Sequence, residues 1–230
     1  MTVEKGSPDI GRVAQLQATA AALPCRRHSA KTGAEDQGPR MPIDVKSLAI
    51  PEVKLIVPQI FRDPRGFFSE TYNQQSLAAA GIGDPFVQDN HSLSRAKGVV
   101  RGLHYQLPPR AQGKLVRVTR GAILDVAVDI RHGSPTFGRH VSAVLSAENW
   151  AQLWIPVGFA HGFCTLESDT EVIYKVTDLY APECDRGIAF DDPALGIEWP
   201  VAPGEAILSD KDRRQPRFAD LPPQFTYLPQ

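Results

Sequence analysis

The sequence predicts an all-β fold, an antiparallel sandwich or barrel with only a few short helices. From Leu55 onward, apolar residues recur with a period of two, which is typical of strands that bury one face. Gly contributes 18 and Pro 20 of the 230 residues, and both types bound the alternating runs. Regularly spaced short strands without helical crossovers imply antiparallel pairing, and jelly rolls of the cupin type are among the candidates.

The clearest predicted strand covers residues 124–131. Its even-numbered positions, from Leu124 to Ile130, are all apolar, whereas the odd-numbered positions carry two aspartates, an alanine and Arg131. This alternation predicts a strand that is half-buried. Further strands are predicted over residues 114–119, 140–145, 151–155 and 171–177, and the one helix of the core over residues 73–80.

We expect residues 1–40 to form a disordered tail ahead of a single globular domain over residues 41–230. The tail contains no aromatic residue and mixes small residues with charges of both signs. Its apolar stretch at 18–23 is too short and too rich in alanine for a signal peptide. Met41 directly precedes the compact-looking sequence, so it is an alternative start of translation.

Composition and charge exclude several functional classes. A net charge of −1 provides no broad positive field for nucleic acid or anionic lipid. The longest apolar runs fall far short of the roughly 18 residues of a membrane span, so we expect a soluble protein. Cys25, Cys164 and Cys184 show no CxxC spacing, which argues against a disulfide framework or a zinc knuckle and favours the reducing cytoplasm.

Two segments resemble the two motifs of a cupin barrel: residues 101–106, and residues 156–161, which read Pro-x-Gly-x-x-His. In metal-binding cupins, histidines and a carboxylate converge on the cation. Here His104 and His161 are retained, Gln106 stands in the place of a second histidine, and protonated Lys114 would repel a metal. The residues therefore predict a metal-free site in which lysine and histidine charges stabilise an oxyanion, as enolate chemistry requires.

The chain as a whole resembles one family, the dTDP-4-dehydrorhamnose 3,5-epimerases. The resemblance is nearly continuous from about residue 53 to residue 216. It is carried by DPRGFF (63–68), FVQDNHS (86–92), RGLH (101–104), QGKLVR (112–117), SPTFG (134–138), LSAEN (145–149), QLWIP (152–156), GFAHGF (158–163) and GIEWP (196–200).

The resemblance implies a cofactor-free isomerase that inverts C3 and C5 of dTDP-4-dehydro-6-deoxy-D-glucose, giving dTDP-4-dehydro-L-rhamnose. Both carbons lie next to the C4 carbonyl, so a positioned base can remove their protons if the enolate oxygen is stabilised. The implied base is His104, oriented by Asp212. Lys114 is the implied enolate stabiliser, and Tyr174 is the implied proton donor on the opposite face of the sugar.

The same resemblance implies how the nucleotide is bound. Arg65 and Arg101 match positions that bind substrate, and the planar arginine fork suits phosphate oxygens. Tyr180 matches the ring that stacks on thymine. The remaining implied contacts are Glu70, Gln88, Asn90, Lys211 and Asp185, the last of which stands where the family often has Glu. His161, which follows the turn of the second cupin motif, could bind substrate or pack in the barrel, and we expect it to bind substrate.

The resemblance further implies a homodimer with exchanged strands, in which Arg65 and Glu70 act across the interface. Three alternatives stay open at this point. One is an epimerase of C3 alone or C5 alone, and Tyr174 favours the double epimerase over it. Another is a cupin that only binds a sugar nucleotide, which would not need a base and an opposed acid. The third is a metallo-cupin, against which Gln106 and Lys114 argue.

Overall fold

The computed structural model describes residues 43–229, in which two large antiparallel β-sheets are arranged as a cupin-type jelly roll. Two further sheets have two strands each, one an antiparallel hairpin and the other a short parallel pair. The strands of this part are β1 (Ile43–Ser47), β2 (Lys54–Pro58), β3 (Phe61–Asp63), β4 (Gly66–Phe68), β5 (Gln88–Ser94), β6 (Val100–Gln106), β7 (Lys114–Arg120), β8 (Ala122–Asp129), β9 (Arg131–His132), β10 (His140–Ser146), β11 (Gln152–Ile155), β12 (Phe159–Thr165), β13 (Thr170–Val176), β14 (Asp185–Gly187) and β15 (Phe225–Thr226). The helical elements are α1 (Gln74–Ala79) and the 3₁₀ turns Pro203–Glu205, Asp212–Arg214 and Phe218–Asp220.

The larger sheet has the strand order β1-β2-β11-β7-β13-β5, and the smaller has the order β10-β8-β12-β6-β14. Between them lies a core in which Val116 and Leu153 of the larger sheet cluster with Ile123 and Phe163 of the smaller. The order confirms the predicted all-β, antiparallel architecture. None of the helical elements between residues 43 and 229 is long and apolar enough to cross a membrane.

The predicted helix and strands are confirmed within one or two residues at most boundaries. Helix α1 begins after Asn73, whose side-chain oxygen accepts hydrogen bonds from the backbone N–H groups of Gln75 and Ser76. The predicted strand 124–131 is divided, since β8 ends at Asp129 and β9 starts at Arg131. The predictions for residues 1–40 and for Met41 as a start lie outside the described residues.

The prediction that strand β8 is half-buried is wrong, because both of its faces are covered. Ile123 and Ala127 point into the core between the sheets, together with the fully buried Asp125. Val126 and Val128, on the other face, are covered by side chains of the C-terminal segment, residues 188–229. The other sheet therefore buries the face that carries the polar residues, and the C-terminal segment buries the apolar face, so neither face of β8 is left to solvent.

The C-terminal segment is tied to the smaller sheet by backbone hydrogen bonds. Ile207 accepts one from the N–H of Val100 at 3.0 Å and donates one to Gly98 at 3.0 Å. Within the segment itself, the N–H of Ala189 donates a hydrogen bond to the backbone oxygen of Pro216 at 2.8 Å. These contacts hold the turn Asp212–Arg214 beside β6, the strand that carries His104.

A close approach of two glycines sets the spacing of the two cupin histidines. Gly102 has φ +125°, and a Cβ added there would lie 2.5 Å from the Cα of Gly162. Only glycine fits, because any side chain would force strands β6 and β12 apart. The register of these strands shifts directly after His161, which pairs with His104 across the two strands.

Candidate active site

A cavity of about 330 Å³ opens between the two sheets, and it brings together most of the predicted site residues. His104 of β6 and Tyr174 of β13 enter it from opposite sheets. The other predicted residues that line the cavity are Lys114, Asp212, Gln88, Asn90, Arg101, His161, Tyr180, Asp185 and Lys211. Eleven of the thirteen predicted positions therefore share one cavity, although they are spread over more than 120 residues of sequence.

His104 and Asp212 form a hydrogen-bonded pair, with 2.5 Å between Nε2 and Oδ1. The imidazole is 31% exposed toward the cavity, whereas the carboxylate is 4% exposed. Burial raises the pKa of Asp212, but hydrogen bonds from His104 and Ser209 outweigh it, so the pKa lies below its usual value. Asp212 is thus a carboxylate that can hold the Nε2 proton and support a positive charge on His104.

Lys114 places a buried amine beside this pair. Its Nζ donates a hydrogen bond to the backbone oxygen of His104 at 3.1 Å. Burial lowers the pKa of Lys114 to about 8, although the negative charges of Asp185 and Asp125 oppose the shift. The amine is therefore still mostly protonated at pH 7 and can stabilise an oxygen that becomes negative in the cavity.

A second histidine–carboxylate pair, His161 and Asp125, lies deeper in the barrel. The distance between His161 Nε2 and Asp125 Oδ1 is 2.6 Å, and both side chains are almost completely buried. Burial lowers the pKa of His161, although the charge of Asp125 opposes the shift. Sequence reasoning missed Asp125. No local signal marked it, because Asp125 shares with Asp129 and Arg131 the polar face of a strand that was predicted to be half-buried.

Tyr174 is half-buried on β13, and its side chain lines the cavity. Burial raises the pKa of its hydroxyl, with the charge of Arg101 acting in the opposite direction. The phenol is consequently protonated at neutral pH, as a proton donor has to be.

The outer part of the cavity is lined by a connected polar group. Gln88 Nε2 donates to Asn90 Oδ1 at 2.8 Å, and Gln88 Oε1 accepts the backbone N–H of Tyr180 at 2.9 Å. The Tyr180 hydroxyl donates to Asp185 Oδ2 at 3.1 Å, and Lys211 forms an ion pair with the same carboxylate. The ring of Tyr180 is exposed at the rim, where a planar base could stack on it.

Gln106, which stands in the place of a metal-binding histidine, has a structural role. Its Nε2 donates to the backbone oxygens of Arg110 and Leu179, and its Oε1 accepts the N–H of Ala181 at 2.8 Å. The amide thus holds the loop that presents Tyr180. Between residues 43 and 229, no three His, Cys, Asp or Glu side chains are grouped so that they could hold a metal ion.

Arg65 and Glu70 are the two predicted residues that do not line this cavity. Arg65 lies in the turn between β3 and β4, is 90% exposed and pairs with Asp63. Glu70 borders a small separate pocket beside Tyr72 and Gln152. Their predicted contacts with substrate are not explained by the cavity of this copy.

Together, the jelly roll and its cavity define a cupin-type isomerase, with a histidine–aspartate pair, a buried lysine and a tyrosine that enters from the opposite sheet. The family described as dTDP-4-dehydrorhamnose 3,5-epimerase matches residues 47–220, and the chain belongs to this family.

Three known proteins illustrate the similarity. The dTDP-4-dehydrorhamnose 3,5-epimerase of Sinorhizobium fredii is 56% identical over 187 residues, which is 80% of this chain and 93% of the relative. A crystal structure from Legionella pneumophila, a dTDP-6-deoxy-D-glucose-3,5-epimerase in complex with dTDP-4-keto-L-rhamnose, superposes with a TM-score of 0.78 at 45% identity, covering 82% of this chain and all of that one. A 3'-monoepimerase from Streptomyces bikiniensis, in complex with dTDP-quinovose, superposes with a TM-score of 0.69 at 36% identity and covers 75% and 87%.

Proposed function

We propose that this enzyme epimerises dTDP-4-dehydro-6-deoxy-D-glucose at C3 and C5, giving dTDP-4-dehydro-L-rhamnose for dTDP-L-rhamnose biosynthesis. The observation that carries the proposal is the placement of His104 and Tyr174 on opposite sheets of one cavity, with Lys114 beside the histidine. Inversion needs a base on one face of a carbon and an acid on the other. This cavity supplies both.

The first step is removal of a proton from the carbon next to the C4 carbonyl. Because Nε2 of His104 is bonded to Asp212, the neutral ring carries its proton there and offers the lone pair of Nδ1 as the base. As Nδ1 takes the proton, the C–H electron pair moves into the C–C bond and onto O4. Asp212 then stabilises the imidazolium, and Lys114 stabilises the enolate oxygen.

The second step returns a proton to the opposite face. Tyr174 donates its hydroxyl proton to the carbon, and the enolate collapses to the ketone. The phenolate then regains a proton from solvent and the His104 imidazolium releases its proton to solvent, which restores both groups. The same pair of groups can act on C3 and C5, since both carbons flank the same carbonyl. We assign the nucleotide to the outer part of the cavity, with Arg101 and Lys211 at the diphosphate and Tyr180 stacked on thymine. Gln88, Asn90 and Asp185 complete this binding group.

Proton NMR with the substrate in heavy water tests the reaction. We expect deuterium at both C3 and C5 and loss of both exchanges in His104→Ala. In Tyr174→Phe we expect exchange to persist while inversion is lost, because the base is intact and the opposed acid is not. Exchange at one carbon alone would instead identify a single-centre epimerase, like the 3'-monoepimerase of Streptomyces bikiniensis. Binding of dTDP with no exchange would identify a non-catalytic cupin.

We also propose that the enzyme works as a homodimer in which Arg65 and Glu70 reach the neighbour's cavity. The β3–β4 hairpin that carries Arg65 exposes Phe61, Phe67 and Phe68, each more than 40% exposed. Aromatic side chains exposed together are typical of a protein interface.

We place the enzyme in the reducing cytoplasm. Cys164 and Cys184 are unpaired and buried, which fits that compartment.

Mixing two inactive variants tests the dimer directly. Arg65→Ala lacks the contributed arginine, and His104→Asn lacks the base. If Arg65 acts across the interface, a mixed dimer has one site with both groups, so activity returns on mixing. Mixing that restores nothing, or a fully active monomer in sedimentation, would contradict the shared site.

A further inference from the structure

The carboxylate of Asp212 is held on both of its oxygens. Oδ1 bonds His104, while Oδ2 accepts a hydrogen bond from the hydroxyl of Ser209 at 2.8 Å. The same hydroxyl oxygen accepts the backbone N–H of Asp212 at 3.1 Å. We propose that Ser209 is a positioning residue, which fixes the carboxylate in the plane and orientation that the base His104 requires. The inference rests on the proposed function, because it assigns Ser209 to the same proton abstraction.

Ser209 can act in this way because its own position is fixed relative to β6. Two residues earlier, the backbone of Ile207 is bonded to Gly98 and Val100, at the start of that strand. Leu208 packs on the buried cluster that contains Val100. Ser209 and His104 are therefore both positioned by strand β6. The segment that leads to Ser209 is bonded to Val100, and His104 lies four residues further along the same strand.

The hydroxyl supplies two physical effects. A carboxylate bonded through one oxygen can still rotate about its Cβ–Cγ bond, whereas a donor on the second oxygen fixes the plane of the group. The donated hydrogen bond also helps to lower the pKa of Asp212. A less basic carboxylate leaves the Nε2 proton on the imidazole, so that the ring offers the lone pair of Nδ1 as the base. Asp125 differs, since its Oδ2 has no hydrogen-bond partner among residues 43–229.

The test compares Ser209→Ala with a matched serine elsewhere. Ser146 also accepts the backbone N–H of a residue three positions on, Asn149, at 3.0 Å, but it touches no catalytic group. We expect Ser209→Ala to lower kcat about tenfold with KM nearly unchanged. Ser209→Thr should restore kcat, and Ser146→Ala should leave it unchanged. A second readout is the low-field proton resonance of His104 Nε2–H, which should move in Ser209→Ala only.

Two results would overturn the inference. One is a kcat for Ser209→Ala within twofold of the wild type together with an unmoved Nε2–H resonance. The other is a loss of kcat that follows the thermal stability while the resonance stays in place, which would make the serine a turn cap only. If Ser209→Ala does not fold, Ser209→Gly removes the hydroxyl and preserves the turn. A wild type that shows no exchange would contradict the proposed function, while the resonance would still decide the role of Ser209.

Discussion

The two histidine–carboxylate pairs of the cavity have nearly the same geometry and different surroundings. Both are bonded through Nε2, at 2.5 Å for His104 with Asp212 and 2.6 Å for His161 with Asp125. The first histidine is 31% exposed and its carboxylate is bonded on both oxygens. The second histidine is 8% exposed, and its carboxylate keeps one buried oxygen unpartnered within the described residues.

The comparison shows that a short hydrogen bond alone does not define a base. His104 is exposed to the cavity, and the pKa of its partner Asp212 lies below the usual value. Asp212 therefore stays ionised when His104 takes a proton. Burial lowers the pKa of His161, which disfavours a positive charge there. We therefore expect His161 to remain neutral and to offer Nδ1 as a hydrogen-bond acceptor for the sugar.

Replacing the two histidines should give the largest difference between the pairs. We expect His104→Asn to lower the rate of deuterium incorporation at C3 by about 10³-fold, because the base is lost. His161→Asn should lower it about tenfold, since only a contact with the sugar is lost. Equal losses in two folded variants would mean that both histidines transfer protons.

Replacing the two aspartates should separate the pairs less strongly. Asp212→Asn removes the charge that stabilises the imidazolium, so we expect kcat to fall about 10²-fold. Asp125→Asn still accepts the Nε2 proton of a neutral His161, and we expect kcat to fall by less than about tenfold. Steady-state kinetics measures both, with circular dichroism as the control for folding. A larger loss in Asp125→Asn would reverse the assignment.

The pH dependence of kcat/KM tests whether Asp125 raises the pKa of Lys114. Protonated Lys114 is the active form, and its pKa is about 8, so activity should fall as the pH rises through about 8. Asp125 and Asp185 raise this pKa, and Lys211 lowers it. Asp125→Asn should therefore shift the alkaline limb to lower pH, whereas Ser146→Ala should not. A limb that stays in place would exclude Lys114 as its origin.

The smallest expected effect is on stability in mild acid. The pKa of His161 lies below its usual 6.5 in the folded protein, so the unfolded chain binds the proton more readily. The free energy of unfolding should be full above pH 6.5 and should decrease as the pH falls through the folded pKa. We expect Tm to drop by a few degrees over this range in the wild type and less in His161→Asn. Identical curves would mean that His161 is not held neutral.

The sequence was sufficient for the central strands and insufficient for what covers them. The alternation at residues 124–131 predicted β8. It could not show that the polar face with Asp125 lies in the core between the sheets, or that the apolar face with Val126 is covered by residues of the distant C-terminal segment. The short elements β3, β4, β14 and β15 have two or three residues each, too few for a periodic pattern to appear. Helix α1 was predictable because its signals, including the cap at Asn73, are local.

The site was predictable where motifs carry it and not where tertiary contacts create it. His104, Lys114 and Tyr174 could be assigned from the resemblance, and the cavity brings them together. Asp125 and Ser209 could not, since each acquires its role through a partner at another point of the chain. Gln106 was noted only as a missing metal ligand, whereas the structure shows it holding the Tyr180 loop.

The base and its carboxylate come from parts of the chain that become structured by different routes. His104 and His161 lie on neighbouring strands whose glycines fix the distance between the strands. The two histidines therefore come together when the smaller sheet forms. Asp212 arrives only when residues 206–215 dock beside β6. During synthesis, the jelly-roll strands can therefore pair before the ribosome has released the residue that completes the base. The enzyme should therefore become catalytically active last, after the barrel has already become compact.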